Sequence, residues 1–163
     1  MKSILFGCGT RDVTASVGML SLRLTFGLLM LFGHGLPKLK KFDAIIENKT
    51  FYTPDFFPLS WMNLQVSLGA AIAAELGAAA LIIIGLGTRW AAFILGFTMV
   101  VAAFAHLNEA AWIYQVGSAK PFKELALLYL AAMIGIILAG PGRYSLDAVL
   151  DKPRKGGRMK ISL

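Results

Sequence analysis

The chain has 163 residues, 57% hydrophobic and 15% charged, against roughly 25% charged in an ordinary soluble domain, and its mean hydropathy is +0.69. A domain this small has too much surface for so few polar residues to cover, which excludes most soluble folds and makes lipid the natural solvent. Sixteen Lys and Arg against nine Asp and Glu leave a charge of +7, and one cysteine, Cys8, excludes an internal disulfide, a thiol pair for redox exchange and a cysteine metal site.

Apolar runs near the ~20 residues a helix needs to cross hydrocarbon follow in chain order. The first covers residues 16–36 and contains Arg23. No small-x-small cleavage site follows it, so it reads as a permanent helix and not a signal. Residues 37–61 form a long connection bearing Phe42, Phe51, Tyr52, Phe56, Phe57 and Trp61, which suits the headgroup zone, with a helical stretch over 42–48. The second run, 64–86, contains Glu75 and is rich in small residues: Gly69, Ala73 and Gly77, with Ala70, Ala74 and Ala78 beside them. These predict close packing and a central place in a bundle. Gly85 to Arg89 is a tight hairpin into the third run, 90–107. A second long connection with Trp112 and Tyr114 leads to the fourth run, 121–140, where Pro121 suits the first helical turn.

Gly140-Pro141-Gly142 ends that helix, and Ser145 stands as the N-cap of a short amphipathic helix through Leu146, Val149 and Leu150. The runs do not alternate apolar with polar residues, so helices and not barrel strands are expected. The expected fold is all-α: an integral membrane four-helix bundle with a short C-terminal amphipathic helix. Residues 1–150 would form one membrane domain and 151–163 a basic tail.

With an even number of spans, both termini and the hairpin share one side, which holds Lys2, Arg11, Arg89, Arg143, Lys152, Arg154, Lys155, Arg158 and Lys160. The other side holds Lys38, Lys40, Lys41, Lys49, Lys120 and Lys123. The basic excess places the termini in the cytoplasm, where the tail would meet anionic lipid; nucleic acid is not an expected partner.

Ionisable groups at membrane depth are functional candidates by default. Arg23, Gly27, Met30 and His34 fall on one stripe of the first helix. Arg23 lies about 10 Å and Glu75 about 20 Å from the same ends of their helices, a gap two extended side chains close, so an Arg23 to Glu75 pair is expected. At the opposite end His34, Lys38, His106, Glu109 and Glu124 would gather as a rim able to exchange protons with a bound quinone or hydrogen-bond its carbonyls. A network that merely satisfies helix ends explains the same residues. Haem held by His34 and His106 is the weaker alternative, and no spacing indicates a metal site.

Several segments together are similar to one known family. They are the first span followed by His34-Gly35-Leu36-Pro37-Lys38, then Ala73-Ala74-Glu75-Leu76-Gly77 with Gly87-Thr88-Arg89, Glu124 opening the fourth span, and Gly140-Pro141-Gly142-Arg143-Tyr144-Ser145-Leu146-Asp147. Over about residues 14–150 the chain resembles the DoxX family. The resemblance implies a four-helix bacterial inner-membrane protein. The family takes its name from a subunit linked to a terminal quinol oxidase and to thiosulfate:quinone oxidoreductase, and other members are thought to be membrane partners of soluble redox enzymes. The expected function is therefore a component of a quinone-linked membrane redox system. It would work with a redox partner protein, since the chain has no flavin, nucleotide or iron-sulfur motif. A non-catalytic anchor or small-molecule transport component is the competing class, and a homo-oligomer stays open. The long aromatic first connection departs from the simplest members.

Overall fold

The computed structural model describes residues 9, 12–56, 58–107, 109–113, 116 and 122–151. Helix α1 is Val13–Lys40, α2 is Phe42–Glu47, α3 is Leu64–Ile84, α4 is Thr88–His106, α5 is Glu124–Ala139 and α6 is Leu146–Leu150. Three of them, α1, α3 and α4, are long and apolar enough to cross a membrane, and α5 is a shorter apolar helix. Among the described residues there is no strand, only an isolated bridge between Ala111 and Phe122. The protein is an all-α membrane protein. Its basic tail, residues 152–163, and the expected helix start at Pro121 lie outside the described residues.

Local chemistry sets the ends. Asp12 accepts from the Ala15 amide at 2.8 Å, Asn63 from Val66 at 2.9 Å and Ser145 from Ala148 at 3.1 Å, so α1, α3 and α6 each open on the side-chain cap their sequence offers. Gly85, at φ 75°, closes α3 in the left-handed conformation.

The long helices pack in a ring, α1 on α3, α3 on α4, α4 on α5 and α5 back on α1. Their interior is built of small and pliable side chains, among them Met30, Ala78, Ala79, Ala91, Ala92, Met99, Ala103, Ala132 and Met133. Ile82, Leu95 and Ile136 are buried among them, but many large apolar side chains point outward: Leu138 is 76% exposed and Phe93 58%. In water such a surface would be costly. In lipid there is no hydrophobic drive to bury leucine, and small residues let backbones approach.

Two expectations about packing are corrected. The Gly69, Ala73, Gly77 stripe is not the contact face of α3: a Cβ placed on Gly69 or Gly77 would meet nothing within 4 Å, and Ala73 is exposed. The close approach is supplied by α1, where a Cβ on Gly27 would come within 2.6 Å of Ile83 Cγ1 and one on Gly35 within 2.7 Å of Leu76 Cδ2. The first helix also does not end before Pro37; it continues to Lys40. A proline inside a helix lacks its amide and clashes with the preceding turn. Here a π-helical stretch, Leu31–Gly35, lies immediately before it and takes up the misfit. As a result Lys38 rides on α1 and not in a loop.

Candidate functional site

The two buried charges that the sequence pairs lie at different levels of the bundle, Arg23 beside the end of α3 and Glu75 at its middle. Arg23 is 1% exposed. Its Nε donates to Ile82 O at 2.8 Å and Nη2 to Ile83 O at 2.9 Å, while Nη1 donates to Pro141 O at 2.7 Å and Tyr144 O at 3.1 Å. Ile82 and Ile83 belong to the last turn of α3, whose carbonyls have no intrahelical partner. Pro141 and Tyr144 follow the end of α5. The partial negative charge of the α3 C-terminus and two carbonyls of the turn after α5 thus surround the guanidinium, and the Asp147 carboxylate adds a favourable charge. The expected Arg23 to Glu75 pair does not form: Ile82 is about 10 Å along α3 from Glu75, and carbonyls nearer the helix end capture the fork first.

Beside it Asp147 performs the opposite task. Its Oδ1 accepts from Gly87 N at 2.8 Å, and its Oδ2 accepts from Thr88 N at 2.9 Å and Thr88 Oγ1 at 2.8 Å. This carboxylate, carried by α6, caps the N-terminus of α4 from a distant part of the chain. The Asp147 amide in turn donates to Gly85 O at 2.8 Å. Gly85 has no room for a side chain, because a Cβ there would lie 2.5 Å from both Arg23 Nη2 and Ser145 Cβ. The Gly140 to Asp147 segment is therefore a latch that closes the hairpin end of the bundle.

Toward the other end, Glu75 is 3% exposed and its Oε1 accepts from Lys38 Nζ. Its second oxygen, Oε2, is buried with no hydrogen-bond partner, and so is Ser67 Oγ two turns away on the same helix. Both residues line a cavity of about 420 Å³ between α3, α4 and the long loop. Lys38, His106, Phe51 and Tyr52 line its polar end, and Phe93, Ile94 and Phe97 its apolar side. Those three large side chains are also outward-facing, so the cavity is continuous with the lipid-facing surface of α4. Phe51 stacks on His106 with ring centroids 6.2 Å apart, and Tyr52 lies 5.7 Å from it. Part of the aromatic loop thus folds back over the cavity. The Tyr52 hydroxyl donates to Asp55 Oδ1 at 3.3 Å. Desolvation, and then the Asp55 carboxylate, hold its pKa above the ordinary phenol value, so it stays protonated at neutral pH.

The proposed rim is only partly assembled. Lys38 and His106 line the cavity; His34, Glu109 and Glu124 do not. His34 is half-buried and packs edge-on against Tyr129, 5.8 Å between centroids. Glu109 is exposed in the turn after α4, and Glu124 is half-buried in the first turn of α5. Glu75, assigned by sequence to an ion pair with Arg23, belongs instead with Lys38. Sequence reasoning missed Ser67 altogether, the only signal being a hydroxyl in an apolar run. It also missed that His34, Glu75 and His106 each sit in a π-helical stretch, Leu31–Gly35, Ala73–Ala78 and Ala102–His106. Such stretches recur at functional sites because they re-aim side chains within a continuous helix. Among the described residues no group of three or more His, Cys, Asp or Glu side chains gathers as a metal site.

Neither a curated protein nor a solved structure matches the chain. The DoxX family model matches residues 18–107, from the first turns of α1 to the residue after α4. That stretch contains Arg23, Lys38, Ser67, Glu75 and His106; the latch segment and Glu124 lie beyond it. More than half of the chain is covered, and the protein is a member of the DoxX family.

Proposed function

We propose that this protein is a component of a quinone-linked membrane redox system and binds the head group of a lipophilic quinone in the cavity between α3 and α4. The observation that carries the reading is the Glu75 carboxylate: buried, held on one oxygen by Lys38, with its other oxygen lacking a hydrogen-bond partner among the described residues, on a side chain that lines a cavity open to the lipid-facing surface. A buried polar atom left unpaired is destabilising by about 1–3 kcal/mol, so such an atom on a side chain that lines a cavity points to a ligand.

Each lining group has a task in this reading. Lys38 supplies the countercharge that keeps a carboxylate tolerable at this depth. Glu75 exchanges a proton with the head group, and His106, beneath the aromatic loop, relays it between the cavity and the aqueous end. Phe51 and Tyr52 cover the polar end, while Phe93, Ile94 and Phe97 line the exit for an isoprenoid tail. A bound quinone would supply the two-electron, two-proton chemistry, and a partner protein the electron donor or acceptor. We further place the protein in a bacterial inner membrane with its hairpin end toward the cytoplasm, on the strength of the basic residues at that end.

The test is quinone content. Purified wild-type protein is expected to retain quinone, or to take it up when offered, and Glu75→Gln and Lys38→Met are expected to lose at least tenfold in affinity. A wild-type protein that neither retains nor binds quinone sinks the reading and leaves a membrane anchor.

A further inference from the structure

Resting on the quinone reading, the state of Glu75 points to a finer one. A carboxylate is acceptor-only: each oxygen takes hydrogen bonds and gives none. Lys38 donates to Oε1 and holds that side of the group; Oε2 is buried and receives nothing from the protein. What completes the site is therefore a donor. A quinone carbonyl is a second acceptor, and set against Oε2 it would bring two partial negative charges together where little water can screen them. The hydroxyl of a hydroquinone brings the missing hydrogen. A charge-assisted O–H to carboxylate bond is roughly twice as strong as a neutral one.

The rest of the cavity is consistent with such a head group. Ser67, whose Oγ likewise has no hydrogen-bond partner among the described residues and which also lines the cavity, is 5% exposed and lies about 12 Å from Glu75 along α3. The polar side chains of this largely apolar cavity therefore extend from Glu75 toward the aromatic loop, with Lys38 and His106 among them. On α4 the lining runs from His106 down to Phe93, about 20 Å of helix, and below His106 it is apolar apart from Thr98, whose hydroxyl donates to Ile94 O at 3.0 Å. An amphiphile with a donor-bearing head and a hydrocarbon tail matches that gradient.

We infer that the α3/α4 cavity selects the reduced form: it binds a lipophilic hydroquinone in preference to the corresponding quinone, through a hydrogen bond from the hydroquinone hydroxyl to Glu75 Oε2. The selectivity belongs to the resting protein and requires no electron transfer.

The experiment uses the full chain in phosphatidylcholine nanodiscs, whose headgroup carries no N–H or O–H donor. Under anaerobic conditions a short-chain alkyl hydroquinone and its quinone are titrated separately, with binding read by tryptophan fluorescence and by equilibrium dialysis. The expected result is at least tenfold tighter binding of the hydroquinone. Glu75→Gln, whose neutral amide is a weaker acceptor than a carboxylate, is expected to abolish that ratio. Equal affinity for the two forms, or tighter binding of the quinone, overturns the inference and leaves the quinone site standing. Binding of neither form overturns both. Displacement of the hydroquinone by phosphatidylethanolamine added to the disc also overturns it, since the donor would then be a lipid ammonium.

Discussion

The hairpin end and the middle of the bundle each bury a charge, and they differ in how completely it is answered. At the hairpin end Arg23 directs four hydrogen bonds onto carbonyls of the α3 end and of the turn after α5, and Asp147 accepts three at the start of α4. In the middle, among the described residues, Glu75 has one side-chain partner and one bare oxygen, and the Ser67 hydroxyl has none. The first arrangement holds structure together; the second leaves room for a molecule. Burial alone does not separate the two, for Arg23 and Glu75 are equally hidden. What separates them is whether the protein itself supplies every partner.

Substitutions at five positions test that contrast. The largest effect is expected at the latch. Arg23→Met strips the carbonyls of Ile82, Ile83, Pro141 and Tyr144 of their donor and should destabilise by on the order of 3–5 kcal/mol, measured as lost yield of monodisperse protein and earlier unfolding in detergent. Arg23→Lys should recover little, because an ammonium lacks the planar fork that reaches both helix ends. Wild-type stability in Arg23→Met would end the latch account. Asp147→Asn comes next. It keeps one acceptor but turns an amide N–H toward the α4 amides, and about 1–2 kcal/mol is expected without loss of the fold.

A double-mutant cycle on the other charge sharpens the comparison. Lys38→Met leaves the Glu75 carboxylate uncompensated and should destabilise more than Lys38→Met with Glu75→Gln, the second change restoring roughly 1–3 kcal/mol. Ligand binding should remain lost in both. If the double variant is as unstable as the single, the pair does not hold α1 to α3. The smallest stability effect is expected for Ser67→Ala. Its hydroxyl makes no bond within the protein, so unfolding should stay within about 0.5 kcal/mol of wild type while head-group affinity falls. A clear loss of stability there would show that Ser67 is structural after all.

How much of this could be read from the chain differs by kind of feature. The apolar runs, the glycine-ended hairpin at Gly85 and the Ser145 cap were legible because each depends on local composition and backbone preference. The inward stripe of Arg23, Gly27 and Met30 was legible because helical periodicity is fixed by geometry. The partners of Arg23 were not. An inward-facing guanidinium can meet any acceptor at its level, and the winning ones are main-chain carbonyls, which every residue carries and no side chain advertises. Of the small residues of α3, Ala74 and Ala78 are buried as expected, and the glycine-bearing stripe misled for a related reason. A stripe of Gly69, Ala73 and Gly77 says that close approach is permitted on that face, not that a neighbour takes it.

The sequence by itself determined the solvent, the helices and the list of polar residues held within apolar runs, because transfer into lipid acts on each residue where it stands. Only the tertiary structure decided which of those residues answer one another. It carried α1 past Pro37 so that Lys38 meets Glu75, brought Asp147 to the start of α4, and folded Phe51 and Tyr52 over a cavity with an unanswered carboxylate oxygen. A hydrogen bond depends on the position of two groups in space to within a fraction of an ångström, and residues far apart in the chain reach that precision only once the helices have packed.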